Sequence, residues 1–244
     1  MEQDKKKEIV FFDSFVEKKS EYVALSSKSY DKILYELSKS FINKKDRIKI
    51  IDLGCGTGSF TKKLLSLNSE IYGCDISPKS IKQASNFYPE IKFSVQDIEH
   101  LSYDENFFDV VIFSGVLHHF NNLKKPIMEA KRILKKDGLI FSFDPNLFNP
   151  FFWIYRRKNS FFYSKEGVTD NEEPLTKKKI TNELLMCEFN KIDVYGISNM
   201  SFEYIENKKL SKLLPVYNFI DYLLNLVPYL RNLIGSFLIT IAKK

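Results

Sequence analysis

The chain has 244 residues, 44% of them hydrophobic, with 9 glycines and 8 prolines, so it holds enough apolar mass for one large α/β domain and too much for a disordered polymer. Its 37 lysines and arginines against 31 acids give a formal charge of +6, but the cations are scattered or sit in short runs such as Lys5-Lys6-Lys7 and Lys177-Lys178-Lys179. Such runs read as solvated surface, and without a basic stripe interleaved with aromatics no nucleic-acid partner is expected.

The opening MEQDKKKEIVFF mixes acids with lysines and has no apolar run ahead of a small-residue cleavage site, so no secretory leader is expected. Phe11 to Phe41 reads as one or two amphipathic helices, with Ile33, Leu34, Leu37 and Phe41 at helical spacing and Tyr22, Tyr30 and Tyr35 nearby. These helices are expected to pack on the sheet as a cap over residues 1–46.

From about Arg47 to Asn146, β-rich runs alternate with helical patterns, the signature of right-handed βαβ units and a parallel sheet. The expected strands are Ile48 to Leu53, Ile71 to Cys74, Ile91 to Val95, Phe108 to Phe113 and Leu139 to Phe143. Helices are expected from near Thr57, from Ser77-Pro78 (a cap followed by proline at the first helical position) and from Leu123 to Leu134. After Asn146 the alternation stops. An aromatic-dense segment within 147–175, a helix near Thr176 to Phe189, a strand Ile192 to Ile197, an irregular apolar segment 202–233 and a last strand Phe237 to Ile241 follow. The two irregular stretches read as lids over a substrate. Asp221 and Arg231, with Pro215 and Pro228, divide the apolar tail into pieces too short to span a bilayer, which leaves peripheral membrane contact open.

Cys55, Cys74 and Cys187 have neither the even count of a disulfide framework nor metal-ligand spacing, so a reducing cytoplasm fits and no metal is expected.

The chemistry concentrates in IIDLGCGTGSF, Ile50 to Phe60, where Gly54, Gly56 and Gly58 follow a buried strand directly. Glycines there let backbone pass close to a ligand. A nicotinamide-dependent oxidoreductase also carries a glycine-rich turn, but its pattern is G-x-G-x-x-G, and Ser59 stands at the last place. Asp52 would also repel a pyrophosphate, whereas a carboxylate suits a cationic amino-acid group. The segment resembles the first motif of class I S-adenosylmethionine-dependent methyltransferases, of the methyltransferase type 11 kind, and the resemblance extends over about Ile48 to Phe143.

That resemblance implies a Rossmann-like, mostly parallel seven-stranded sheet with helices on both faces and the final strand antiparallel. It also implies S-adenosylmethionine as cofactor and S-adenosylhomocysteine as product. The cofactor residues it implies begin with Asp52 and the turn Gly54, Cys55, Gly56, Thr57 and Gly58. Asp75 would hold the ribose hydroxyls and Asp97 the adenine amino group, with Ile76 and Ile98 as walls. Ser114 and Leu117 would lie by the methyl-donor end. His119, or else His118, is the candidate for removing the acceptor's proton, since imidazole titrates near neutrality; a dedicated base is not obligatory, because the cofactor brings its own leaving group. Asp144, Asn146, Tyr22 and Trp153 are candidates for binding the acceptor, expected to be a small molecule such as a natural product, sugar or lipid-linked intermediate methylated on oxygen. The competing expectations are the oxidoreductase and a binding protein that keeps the fold without catalysis.

Overall fold

In Ile48–Leu53 (β1), successive side chains turn to opposite faces of the sheet: Ile48 and Ile50 enter one apolar core, Ile51 and Leu53 the other. A strand buried on both faces is largely apolar, and its neighbours Ser69–Asp75 (β2) and Phe108–Ser114 (β4) pair with it in parallel. The computed structural model describes residues 5–18, 25–40, 47–161, 163, 169, 172–202 and 211–244. Among these, Lys92–Val95 (β3), Leu134–Pro145 (β5), Asn190–Ile197 (β6) and Phe237–Lys243 (β7) complete a seven-stranded sheet of order β3-β2-β1-β4-β5-β7-β6. β7 runs antiparallel to both β5 and β6.

Helices cover both faces. Ser27–Lys39 (α2) brings Ile33 and Leu37 to one core, and Lys124–Ile133 (α4) with Lys177–Met186 (α6) brings Ile127, Ala130, Ile180 and Leu184 to the other. Pro78–Phe87 (α3) starts where the sequence places it, with the Ser77 hydroxyl accepting from Ser80 N and proline in the first turn. Thr176 caps α6 in the same way.

Four expectations are corrected. No α-helix starts near Thr57; Gly56 and Gly58 take positive φ, closed to a right-handed helix, and only a 3₁₀ turn forms at Thr61–Ser66. β5 begins at Leu134 rather than Leu139, and Asp137, at φ 60, kinks it where the pairing with β4 shifts register. The first helix, Lys5–Lys18 (α1), begins before Phe11 and covers the carboxyl edge of the sheet, not a face. The supposedly irregular tail holds two helices, Leu214–Asn225 (α7) and Pro228–Ile234 (α8), because Pro215 and Pro228 stand in their first turns, where a missing N–H costs nothing.

A short helix, Pro150–Tyr155 (α5), is capped by Asn149, whose Oδ1 accepts from Phe151 N while its Nδ2 donates to Ile234 O at 3.0 Å. Phe141 in β5 is wholly buried in the core beneath α2. Phe141→Ala is expected to lower the unfolding free energy by about 3–5 kcal/mol in urea titrations, and a loss under about 1 kcal/mol would show that the core collapses around the gap.

Candidate functional site

Parallel pairing brings the carboxyl ends of β1, β2, β4 and β5 to one edge, and the turn after β1 is held there by backbone: Gly54 N and Cys55 N both donate to Cys74 O, at 2.8 and 3.0 Å. A Cβ on Gly54 would stand 2.6 Å from the Val116 side chain, so no other residue fits. A Cβ on Gly56 would meet nothing within 4 Å, and this residue lies on an open cavity of about 260 Å³.

That cavity gathers most of the residues singled out from sequence: Gly54, Cys55, Gly56, Thr57, Asp75, Ile76, Asp97, Ile98, Ser114, His118 and His119. Asp75 accepts from Gly56 N on one oxygen and from Ser77 N on the other, both at 2.9 Å, which ties the glycine turn to the start of α3. Each oxygen keeps a lone pair for a further donor. Asp97 is more engaged, because Lys5 Nζ donates to Oδ2 at 2.6 Å and Glu99 N to Oδ1 at 3.0 Å. Its carboxyl is held below the ordinary range: burial pushes upward, and the Lys5 ion pair outweighs it.

Other candidates lie off the cavity wall. Gly58 and Leu117 do not line it, and Leu117 belongs to the core. Asn146, fully buried, donates to Leu233 O and Gly235 O at 3.1 and 2.8 Å, so its amide secures the chain before β7 instead of facing an acceptor. Trp153 is exposed on α5, with Arg157 5.5 Å from its ring centre. Asp144 is buried beneath His118 and accepts from both its backbone N (3.1 Å) and its Nδ1 (3.0 Å). Tyr22 lies outside the described residues.

The structure also brings in residues that pattern reading passed over. α1 supplies Lys5, Glu8, Phe11, Phe12 and Val16 to the cavity, so Lys5 is no solvated cation as its run implied. Glu8, 4% exposed, stands 3.6 Å from His119 Nδ1, which is also 3.2 Å from Thr169 Oγ1. Glu172 and the rings of Phe143, Phe152, Phe202 and Phe237 complete the far wall. The available signal was an acid between the lysine run and Phe11-Phe12, but nothing local tells that it is buried or which partner it meets. Donor atoms of His118, His119 and Glu172 lie within 4.8 Å of one another, as do those of Asp97, Glu99 and His100, so either trio has the ligand types for a metal ion.

Comparison with known proteins follows the same core. A family model described as a methyltransferase domain matches residues 51–142. The chain is 29% identical over 181 residues to a malonyl-[acyl-carrier protein] O-methyltransferase of Bacillus cytotoxicus, covering 72% of this chain and 62% of that protein. It is 30% identical over 187 residues to an uncharacterized protein of Methanocaldococcus jannaschii, covering 71% and 72%. The solved structure of an S-adenosylmethionine-dependent methyltransferase from Archaeoglobus fulgidus superposes with a TM-score of 0.60 at 18% identity, over 88% of this chain and 94% of that one. The chain belongs to the class I S-adenosylmethionine-dependent methyltransferases.

In this methyltransferase the carboxylate deepest beneath the glycine turn is Asp52, fully buried at the end of β1. Thr61 Oγ1 donates to its Oδ2 at 2.7 Å, while Oδ1 has no hydrogen-bond partner among the described residues. Burial pushes Asp52 from 3.8 up to about 7, opposed by the nearby Ser114 and Thr61 hydroxyls and reinforced by the charge on Asp75. Burial raises Asp75 as well, against the N–H groups of Ser77 and Gly56. For His119 burial pulls downward, but Glu8, Glu172 and Asp144 outweigh it and hold the imidazole above its ordinary 6.5.

Because Asp52 binds its proton more tightly folded than unfolded, its contribution to stability declines as pH rises from 3.8 towards 7 and is level above that. Asp52→Asn removes this loss. The melting midpoint of Asp52→Asn minus that of the natural protein is therefore expected to grow across the window; a constant difference would show that Asp52 ionises normally.

Proposed function

We propose that this chain moves the methyl group of S-adenosylmethionine onto an oxygen of a small, largely apolar acceptor. The observation that carries the proposal is the convergence, on one cavity, of an open glycine turn, a ribose-compatible Asp75 carboxylate and an aromatic wall bearing a histidine pair.

The residues fit the cofactor in three respects. The backbone at Gly56 leaves room for close approach, Asp75 keeps an acceptor lone pair on each oxygen for the two ribose hydroxyls, and Asp52 has an orphaned oxygen suited to a cationic amino group. Ile76 and Ile98 both line the cavity and offer apolar walls, with Asp97 available to the adenine amino group only in competition with Lys5. S-adenosylmethionine supplies an activated methyl on a sulfonium with its own leaving group. The protein's share is alignment, exclusion of water and the fate of the acceptor's proton.

For that proton His118 is the stronger candidate, which reverses the order drawn from sequence. Asp144 accepts from His118 Nδ1, so in the neutral ring that nitrogen carries the hydrogen and Nε2 keeps a lone pair for an acceptor hydroxyl. His119 sits among carboxylates that favour its cationic form, which suits it to charge balance and acceptor placement. Asp144 then acts as a positioning residue for His118, not as a binder of the acceptor. Oxygen as the methylated atom is supported by the Bacillus relative, an O-methyltransferase by its description, and a compact acceptor by the enclosed apolar wall.

Calorimetric titration tests the cofactor assignment: S-adenosylmethionine and S-adenosylhomocysteine are expected to bind, NADH not. Asp75→Ala is expected to weaken binding by roughly 1.5–3 kcal/mol per charged hydrogen bond lost. Binding of NADH alone would reinstate the oxidoreductase, and unchanged affinity in Asp75→Ala would remove its assignment. In an acceptor screen, His118→Ala is expected to lower kcat by about 10²–10⁴-fold with cofactor affinity intact. A fully active variant would end its role as base, and binding without turnover on any acceptor would favour the non-catalytic reading.

A further inference from the structure

Behind each histidine of the cavity stands an oxygen. His118 and His119 lie on a 3₁₀ turn, Leu117–His119, just past β4, with ring centres 4.3 Å apart. His118 Nδ1 is 3.0 Å from Asp144 Oδ1, and His119 Nδ1 is 3.2 Å from Thr169 Oγ1. The Nε2 of each ring has no hydrogen-bond partner among the described residues. An imidazole held through one nitrogen by an oxygen, with the other left bare, is the form in which histidine ligates a metal.

Glu172 supplies a third ligand from the segment ahead of α6. Donor atoms of His118, His119 and Glu172 lie within 4.8 Å of one another, and Glu173 N donates to His118 O at 2.9 Å, so backbone fixes the approach of the two segments. A zinc ion with ligands at ~2.0–2.2 Å holds neighbouring donors ~3.4 Å apart. Glu172, half-buried on the cavity wall, has the side-chain freedom to close that gap.

Charge calls for a cation at this place. Glu8, Asp144 and Glu172 surround the two imidazoles, with Asp144 wholly buried and its Oδ2 without a hydrogen-bond partner among the described residues. Neither Asp144 nor Glu172 has a lysine or arginine partner among the described residues. Carboxylates shut off from water without such partners are costly, and a divalent ion held by the histidines between them offsets that cost. Two imidazoles with one carboxylate suit zinc, iron or cobalt, whereas magnesium and calcium take oxygen ligands. The trio of Asp97, Glu99 and His100 differs on both counts. Lys5 donates to both of its acids, and the His100 side chain is 77% exposed, so its charge is already matched and its imidazole stands in water.

We infer that His118, His119 and Glu172 form a site for a divalent transition-metal ion in the cavity, with Asp144 holding His118 in place for it. None of the three is a cysteine, so the spacing of Cys55, Cys74 and Cys187 carried no sign of it. Three protein ligands leave at least one coordination position open. His118 Nε2 has a single lone pair, so a bound ion and an acceptor's proton exclude each other there. The inference goes beyond the methyl-transfer reading, and its test needs neither cofactor nor turnover.

The experiment is titration of the chelator-stripped, tag-free chain with cobalt(II), followed in the visible spectrum, and then displacement of the cobalt by zinc. About one cobalt per chain is expected, with the strong visible absorption of a four- or five-coordinate ion, and zinc is expected to remove it. Glu172→Ala and His118→Ala are each expected to weaken cobalt binding at least about tenfold. Asp144→Asn is expected to weaken it about 10–100-fold with the shape of the spectrum unchanged, as befits a group that acts through a ligand. Should the His118 and Asp144 variants fail to fold, Glu172→Ala decides the matter, with zinc binding read by calorimetry. Absence of cobalt absorption in the natural chain overturns the inference, as does binding that Glu172→Ala leaves unchanged. Cobalt binding that His100→Ala abolishes and Glu172→Ala does not assigns the ion to the other trio and overturns it equally. Binding of S-adenosylmethionine to the stripped chain is measured separately, so either reading can fail while the other stands.

Discussion

Five strands paired in parallel must end on the same edge, and the chemistry of this molecule follows from that. β1, β2, β4 and β5 are joined by direct ladders, so the residues just past their ends are brought together although they are spread over some ninety positions of chain. The edge is also where backbone leaves regular hydrogen bonding, and the turn at Gly54 to Gly58 finds its partners in Cys74 O and the Asp75 carboxylate. A ligand at such an edge meets orphan donors, carboxylates and little side-chain bulk.

Burying carboxylates at that edge has an electrostatic consequence. Asp52 and Asp75 are both raised by burial, and the charge on Asp75 adds to the rise at Asp52. Across the cavity the same principle runs with opposite sign: Glu8, Glu172 and Asp144 together outweigh the burial of His119 and favour its cation. The two histidines are adjacent in sequence with ring centres 4.3 Å apart, yet their partners differ: His118 Nδ1 meets Asp144, while His119 Nδ1 meets Thr169 and faces Glu8.

At the far end of the chain, Asp221 and Asn146 act as fasteners. Each is buried: Asn146 donates to the Leu233 and Gly235 carbonyls just before β7, and Asp221 accepts from Met200 N past β6 and from the Ser236 hydroxyl at the start of β7. Fastening of this kind sets the rotation of a helix irrespective of its hydrophobic pattern, and α7 consequently presents apolar side chains outward while its inner side supplies Tyr217 to the wall behind Phe202.

What the sequence by itself determined was local or periodic: the doubly buried strands, the Ser77 and Thr176 caps, and the glycine turn with acids at three successive strand ends. These depend on near neighbours, so they can be read without knowing the fold. Proline misled where its position within the turn mattered, since Pro215 and Pro228 begin helices instead of ending them. Only the tertiary structure decided that Lys5 meets Asp97 across 92 positions, that Glu8 reaches His119, that Asn146 is a fastener, and that Asp144 lies beneath His118. Those pairings join residues with no fixed spacing in the chain, and what selects them is which elements the sheet's edge brings within hydrogen-bond range.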